Sequence, residues 1–250
     1  MRSHLVRIPR LIEQRRVVAR IKDCMERAEE IENLRSETTN ERDALLESLI
    51  EAEFQSAAGD AVVFEEVCGI TSELVDPRKT GIIDSIHVGG ANIESETGRL
   101  INLKTSREEK LKSAKFPFDE SMVLYNKIRP YLKKVARPDF SGICSADMYP
   151  LSPEPAKLDK DYLFFLLLSR DFTRFAIEGS NRAGMPKVNR KHLFAYRFNL
   201  PPLDQQKQIA ERLNEALTTL EIMRTEYQEM QADESHLRDA ILRKAFAGEL

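Results

Sequence analysis

Residues 200–246 read LPPLDQQKQIAERLNEALTTLEIMRTEYQEMQADESHLRDAILRKAF, and residues 8–54 read IPRLIEQRRVVARIKDCMERAEEIENLRSETTNERDALLESLIEAEF. Laid over each other at a constant offset of 192 and without a gap, they share eight identities in 47 positions. Pro9 falls on Pro201, Leu11 on Leu203, Gln14 on Gln206 and Arg20 on Arg212, and the register still holds where Phe54 meets Phe246. A gapless match that carries both the Pro-x-Leu opening and the terminal Phe marks an internal repeat. Both copies step apolar residues by three and four. The first does so at Val17, Ile21, Ile31, Leu45 and Leu49, the second at Ile209, Leu213, Leu220, Leu237 and Ile241. That spacing predicts a heptad seam on each of two long helices. The span from Gln14 to Phe54 contains no Gly or Pro and would be roughly 60 Å long at about 1.5 Å per residue. A helix with one apolar stripe must cover it, and the nearest cover is the other copy. An antiparallel coiled coil is therefore expected. In each copy proline stands where an extended chain turns into a helix, and Asp204 is placed to cap the second.

Working outward, the chain divides into a first helical region 1–57, a middle domain 58–198 and a second helical region 199–250. The middle has short apolar runs with turn signals at Ala61–Ile70, Gly81–Val88, Ser121–Ile128, Gly142–Leu151 and Tyr196–Leu200, which read as strands, and helical patterns at Asp159–Arg170 and Asp171–Glu178. The expected fold class is α+β, one globule flanked by the two helices.

The 250 residues are 42% hydrophobic and 32% charged, and the longest apolar run, Tyr162–Leu168, is far short of the roughly 20 residues that span a bilayer. The first residues carry arginines with no apolar stretch behind them, so a cytoplasmic location without membrane contact is expected. Three cysteines stand far apart, which favours neither a disulfide framework nor a thiolate zinc site. The net charge of −3 is unevenly spread. The helical regions are acidic, whereas Arg99–Arg137 holds 11 Lys/Arg against 4 Asp/Glu and Arg182–Arg197 holds 5 against none. Such segregation points to a polyanionic partner.

No phosphate-binding loop, dinucleotide fingerprint, nucleophile elbow or His-Glu-x-x-His motif occurs, and the four histidines do not cluster. The nearest approach to a nuclease carboxylate set is Asp139, Glu154 and Lys157, with the lysine one place too far from the glutamate. No catalytic residue, metal ligand or cofactor site is expected. Two basic, amide-bearing loops remain, 125–137 and 180–192. Lys and Arg neutralise phosphates, while Arg to guanine and Asn to adenine can form paired base contacts. The candidate DNA contacts are Asn92, Arg99, Asn126, Lys127, Arg129, Lys133, Lys134, Arg182, Lys187, Asn189, Arg190 and Lys191.

These residues carry a resemblance. Leu-Pro-Pro-Leu-Asp-Gln-Gln at 200–206, the helix after it and its ending Leu-Arg-Asp-Ala-Ile-Leu-Arg-Lys-Ala-Phe-Ala-Gly-Glu-Leu at 237–250 resemble the repeated helical region of type I restriction-modification specificity subunits. Gly89–Glu94, Asn126–Ala136 and Cys144–Asp147 look like stretches of that family's target recognition domain. The resemblance implies a host-defence protein that reads one half of a bipartite double-stranded DNA site. Its paired helices would set the spacing of the two halves and hold methyltransferase (modification) subunits and a restriction/translocase subunit. It also implies that methylation, cleavage and the use of S-adenosylmethionine, ATP and magnesium belong to those partners, and that this chain is not itself an enzyme. Complete members run recognition domain, helix, recognition domain, helix, whereas this chain has a single recognition domain. It is expected to be either a gene fragment or a half-subunit that pairs with a second copy as a homodimer. The alternatives are a helical scaffold or dimerisation protein without DNA affinity and, on the Asp139/Glu154/Lys157 set alone, an autonomous nuclease.

Overall fold

A computed structural model describes the backbone of residues 10–180 and 185–247, and their side chains except at 28, 32, 34–43, 228–242 and 245–247. The chain forms two units: residues 45–217, and the residues up to 44 together with those from 218 onward. Helices α1 (Leu11–Ser56) and α6 (Leu203–Ala247) run through both.

In the larger unit, α1 leads into strand β1 (Asp60–Val63), which pairs antiparallel with β10 (Arg197–Leu200), the strand that leads into α6. The chain thus enters and leaves through one two-stranded ribbon. Gly59 is obligatory there, since a Cβ would lie 2.2 Å from the carbonyl oxygen of Leu200. A second sheet joins β2 (Cys68–Gly69), β9 (Met148–Pro153), β6 (Val123–Asn126) and β7 (Val135–Ala136), all antiparallel, in that order. A third runs β4 (Lys104–Thr105), β3 (Ile86–Val88), β8 (Gly142–Ser145) and β5 (Lys115–Phe118), with only β3 and β8 parallel. The four-residue helix α2 (Ser106–Glu109) is capped by Thr105, whose side chain accepts from the Glu108 amide.

The run Tyr162–Leu168 becomes α3 (Lys160–Leu168), in which all seven of these residues are buried, as a helix apolar all round must be. Asp159 caps it. Ser169 separates it from α4 (Arg170–Glu178): its extended backbone ends α3, and its hydroxyl accepts from the Phe172 amide to start α4. One apolar cluster packs Val88, Ile93, Phe118, Met122, Leu124, Ala136, Cys144 and Met148 between strands of the two larger sheets. Cys68 and Cys144 are buried thiols, each pushed up to about 12 by burial. The mixed architecture is the α+β class expected.

Where the helices root in this unit the predicted stripe is displaced. Leu45 is 50% exposed and Leu49 half-buried, while Leu46 and Ile50 are buried at 6% and 3%. The cause is packing against the α+β body. Phe54, one turn beyond Ile50, packs against Tyr162 with tilted rings whose centroids are 4.9 Å apart. Glu47 on the same helix segment pairs with Lys133 and Arg170, and Glu51 accepts from the Arg170 amide. Arg212 of α6 pairs with Glu53 at 2.6 Å, and Ile209 and Leu213 are buried as the heptad requires. Asp204 is not the helix cap. It lies inside the first turn of α6, where the positive end of the helix dipole favours it.

The smaller unit consists, among its described residues, of the outer parts of α1 and α6. Leu220 is buried and Val17 and Ile21 are half-buried, but Ile31 is 43% exposed. The side chains of Leu237 and Ile241 lie outside the described residues. No helix is long and apolar enough to cross a membrane, among the described residues.

Candidate nucleic-acid interface

The two basic loops meet in space where residues 127–129 run beside 186–188. Strands β6 and β7 form a hairpin, extended by a bond from the Asn126 amide to the Lys134 carbonyl at 3.0 Å, and residues 127–133 are its tip. Ile128 makes an antiparallel bridge to Lys187. The Arg129 amide donates to the Pro186 carbonyl at 2.9 Å, and the Val188 amide to the Lys127 carbonyl at 3.0 Å. Tyr149, on β9, donates its hydroxyl proton to the Val188 carbonyl at 3.1 Å. The second loop then turns into α5 (Arg190–Phe194), capped by Asn189, whose side-chain oxygen accepts from the His192 amide at 2.8 Å.

The bonds sort the candidates into two groups. Several are engaged by groups of the fold itself, Arg99 while remaining exposed. Lys127 is 8% exposed, its ammonium donates to the Ala146 carbonyl, and it lies 4.8 Å from the centre of the Tyr149 ring. Burial, then the charges of Lys187 and Arg190, hold its amine below the usual lysine value. Lys134 donates to the Gly90 carbonyl at 2.6 Å. Asn126 folds its amide onto the backbone of Ile128 and fills the space beside Gly90, where a Cβ would come within 2.9 Å of its nitrogen. Asn92 accepts from the Gly89 amide at 2.9 Å and donates to the carbonyls of Ile101 and Asn102, both at 3.1 Å. Arg99 is forked onto Glu94 at 3.1 Å. Lys133 is held by Glu47, with its side chain 11% exposed. The sequence placed Lys133 and Lys134 together as phosphate contacts; their ammonium groups are directed to Glu47 and to Gly90 instead.

The second group faces water. Arg129, Arg190 and Lys191 are exposed and make no ion pair among the described residues, and Lys187 makes only a long one, 3.9 Å to Asp147. Arg129 and Lys187 lie at the joint between the loops, and Arg190 and Lys191 open α5 just after it. Arg182 lies outside the described residues. Two exposed apolar side chains in the same place, Tyr131 and Met185, were not singled out from sequence. Their signal was available: each adjoins a proline inside a cationic loop.

No group of three His, Cys, Asp or Glu able to hold a metal occurs among the described residues. Lys157, the third member of the nuclease-like set, donates to the Glu66 carbonyl at 3.2 Å and so is turned away from that role. The arrangement can bind and orient a polyanion through a fixed pattern of cations.

The family described as the type I restriction modification DNA specificity domain matches residues 66–232. The type I restriction enzyme EcoDI specificity subunit of Escherichia coli is 36% identical over 187 residues, which are 75% of this chain and 41% of that protein. The chain therefore spans about two-fifths of the length of that relative. Among solved structures, a chain from a study of complex assembly and conformational transition in a type I R-M system shares 22% identity at a TM-score of 0.74, covering 98% of this chain and 62% of its own. The HsdS subunit from Thermoanaerobacter tengcongensis, also at 22% identity, gives a TM-score of 0.54 and covers 98% of this chain and 61% of that one. The two structures show a shared fold. With the family match extending over more than half its length, the chain belongs to the type I restriction-modification DNA specificity family.

Proposed function

We propose that this chain is a non-catalytic DNA-reading subunit of a type I restriction-modification complex, with a target recognition domain at 58–198 between helical regions 1–57 and 199–250. The observation that carries the reading is the joint between the two loops. Two cationic segments far apart in sequence are fastened together by backbone bonds, and Arg129, Lys187, Arg190 and Lys191 are left facing water. A fold gains nothing internally from like charges brought together, whereas a phosphate backbone gives each of them a partner. Asn92, Asn126, Lys127, Lys133, Lys134 and Asn189 then act as the framework that fixes those four.

In this reading α1 and α6 pair as an antiparallel coiled coil. Support comes from their near-equal lengths of 46 and 45 residues and from the burial of Ile209, Leu213 and Leu220 on one stripe. The coil would set the distance to a second recognition domain, supplied by another copy of the chain, and would hold the methyltransferase and restriction/translocase subunits in the cytoplasm. Methylation and cleavage would be theirs.

The test is a binding curve for the full chain against duplexes selected from a randomised pool, followed in rising salt. The expected result is preference for one selected sequence and a log–log slope of about −3 to −4, since four phosphate contacts each contribute about −0.9. Affinity equal for all sequences, or independent of salt, would sink the reading. Magnesium-dependent cleavage by the chain alone would overturn its non-catalytic part.

A further inference from the structure

At the cationic joint two large apolar side chains stand in water, Tyr131 at 51% exposure and Met185 at 59%. Isolated exposed apolar residues need no explanation. These two differ because of how they are held. Tyr131 is the middle residue of a single 3-10 turn, Pro130–Leu132, whose flanking residues Arg129 and Lys133 both have left-handed backbones, with φ of 51° and 45°. Side-chain-bearing residues adopt that region in quantity only where their surroundings force it. The surroundings are visible. Pro130 is buried, the Leu132 amide donates to the Arg129 carbonyl at 2.9 Å, Lys133 is pinned by Glu47 and the Arg129 amide is pinned by Pro186. The antiparallel bridge of Ile128 to Lys187 joins this hairpin tip to the segment that carries Met185, two residues before Lys187.

The turn therefore presents an aromatic ring rigidly between Arg129 and the bridge to Lys187, two exposed cations, with Met185 exposed on the joined segment. An apolar protein surface would not match such a rim. A duplex would, because its apolar base-pair faces lie between two rows of phosphates. Resting on the DNA-binding reading above, we propose that Tyr131, backed by Met185, is a wedge that enters between two base pairs of the bound duplex, unstacking and bending it there. Proteins that insert apolar side chains at base steps kink the duplex in this way. Such a wedge would contribute to sequence choice without any base hydrogen bond, because pyrimidine–purine steps deform more easily than A-tracts.

The experiment uses the full chain and its selected duplex, with 2-aminopurine replacing each adenine in turn and end-to-end energy transfer reporting bend. The wild type should raise 2-aminopurine fluorescence at one step, and replacing that step by a stiff A-tract should weaken binding. Tyr131→Phe should keep the signal. Tyr131→Ser should abolish it, straighten the duplex and bind about tenfold more weakly, with an unchanged salt slope because the cations remain. The ring is exposed, so both variants should melt with the wild type. A wild type that binds its duplex tightly with no fluorescence change, or a Tyr131→Ser chain with undiminished signal, would overturn the wedge and leave DNA binding standing. Loss of only methyltransferase-subunit assembly in Tyr131→Ser would also overturn it, assigning the ring to a protein. Failure of the wild type to bind any duplex would remove the DNA reading itself.

Discussion

Removing one carboxylate, Glu47→Gln, tests whether Lys133 belongs to the fold or to the DNA. Glu47 lies on α1 near its root, held by Arg170 at 3.0 Å and by Lys133. The Arg170 hydrogen bond, then that of Lys133 with both charges, lowers the carboxyl from 4.5 to about 2 against an opposing effect of burial. Taken whole, that fall corresponds to about 3 kcal/mol of preference for the ionised, folded state. The Arg170 side chain is 60% exposed and its share is screened by water, so about 1–2 kcal/mol is the realistic contribution. For a unit of this size that is a fall in Tm of about 2–8 °C. Because the folded carboxyl is held ionised, the contribution is complete above pH 4.5 and is lost as pH falls from there towards about 2. The gap between wild type and Glu47→Gln should therefore be wide at pH 7 and narrow at pH 3. Lys133→Ala should lose a comparable stability, the double variant should lose less than the sum, and all three should keep the wild-type salt slope for DNA. Circular dichroism melts and anisotropy titrations measure both. A Lys133→Ala chain that melts normally but loses about one unit of salt slope would refute the reasoning and return the residue to the DNA surface.

Single alanines at Arg129, Arg190 or Lys191 should each reduce the salt slope by about 0.9 without changing Tm, because none makes an internal ion pair among the described residues; titrations at several salt concentrations measure this. Asn189→Ala should cost about 1 kcal/mol through loss of the cap on α5, and Asn189→Asp should restore it, as denaturant midpoints will show. If Asn189 reads a base instead, Asp would fail to rescue sequence preference. His87 is buried, which lowers its imidazole below 6.5 despite a 2.7 Å contact with Glu109. Its neutral form therefore supports the fold above about pH 6.5, and stability should drop as pH falls towards the lowered value; an NMR titration placing His87 above 6.5 would contradict this. Gly90→Ala should cost roughly 1–3 kcal/mol by forcing Asn126 aside, as chemical denaturation will reveal.

The sequence was most legible where one local rule decided the outcome. Seven successive apolar residues after a capping Asp had to become a buried helix, and α3 is that helix. The repeat fixed two long helices of near-equal length. What could not be read locally was the partner of each charge. Lys133 and Lys134 are adjacent lysines in a basic loop, and only the folded chain brings Glu47 to the first and the Gly90 carbonyl to the second. The heptad stripe slipped at the root of α1 for the same reason: Leu46 and Ile50 are buried on the segment where Phe54 meets Tyr162 and Glu47 meets Lys133, contacts that periodicity alone does not contain. Asn126 and Asn189 have the chemistry of base readers, but each meets its obligations within a few residues.

That division has a physical logic. A surface that must offer unpaired cations is destabilised by their repulsion, so the structure beneath them has to be stronger than usual. Two polar junctions tie the chain's entry and the base of the β6–β7 hairpin to the body. Gln206, fully buried, donates to the carbonyls of Lys157 and Pro201 and accepts from the Asp159 amide, tying the first turn of α6 to the cap of α3. Arg137 bonds Asn214 and Asp161 while lying 4.4 Å from the Phe164 ring, linking the end of the β6–β7 hairpin to both helices. Replacing Gln206 by Leu would leave the Asp159 amide and two carbonyls without partners in a dry site, a loss of about 1–3 kcal/mol per unsatisfied group. The exposed cations would then rest on a loosened base, so sequence preference should weaken in Gln206→Leu although no group near the DNA has changed. If the variant melts lower yet discriminates duplexes as well as wild type, the cations are held by their own loops alone and the base is not what orders them.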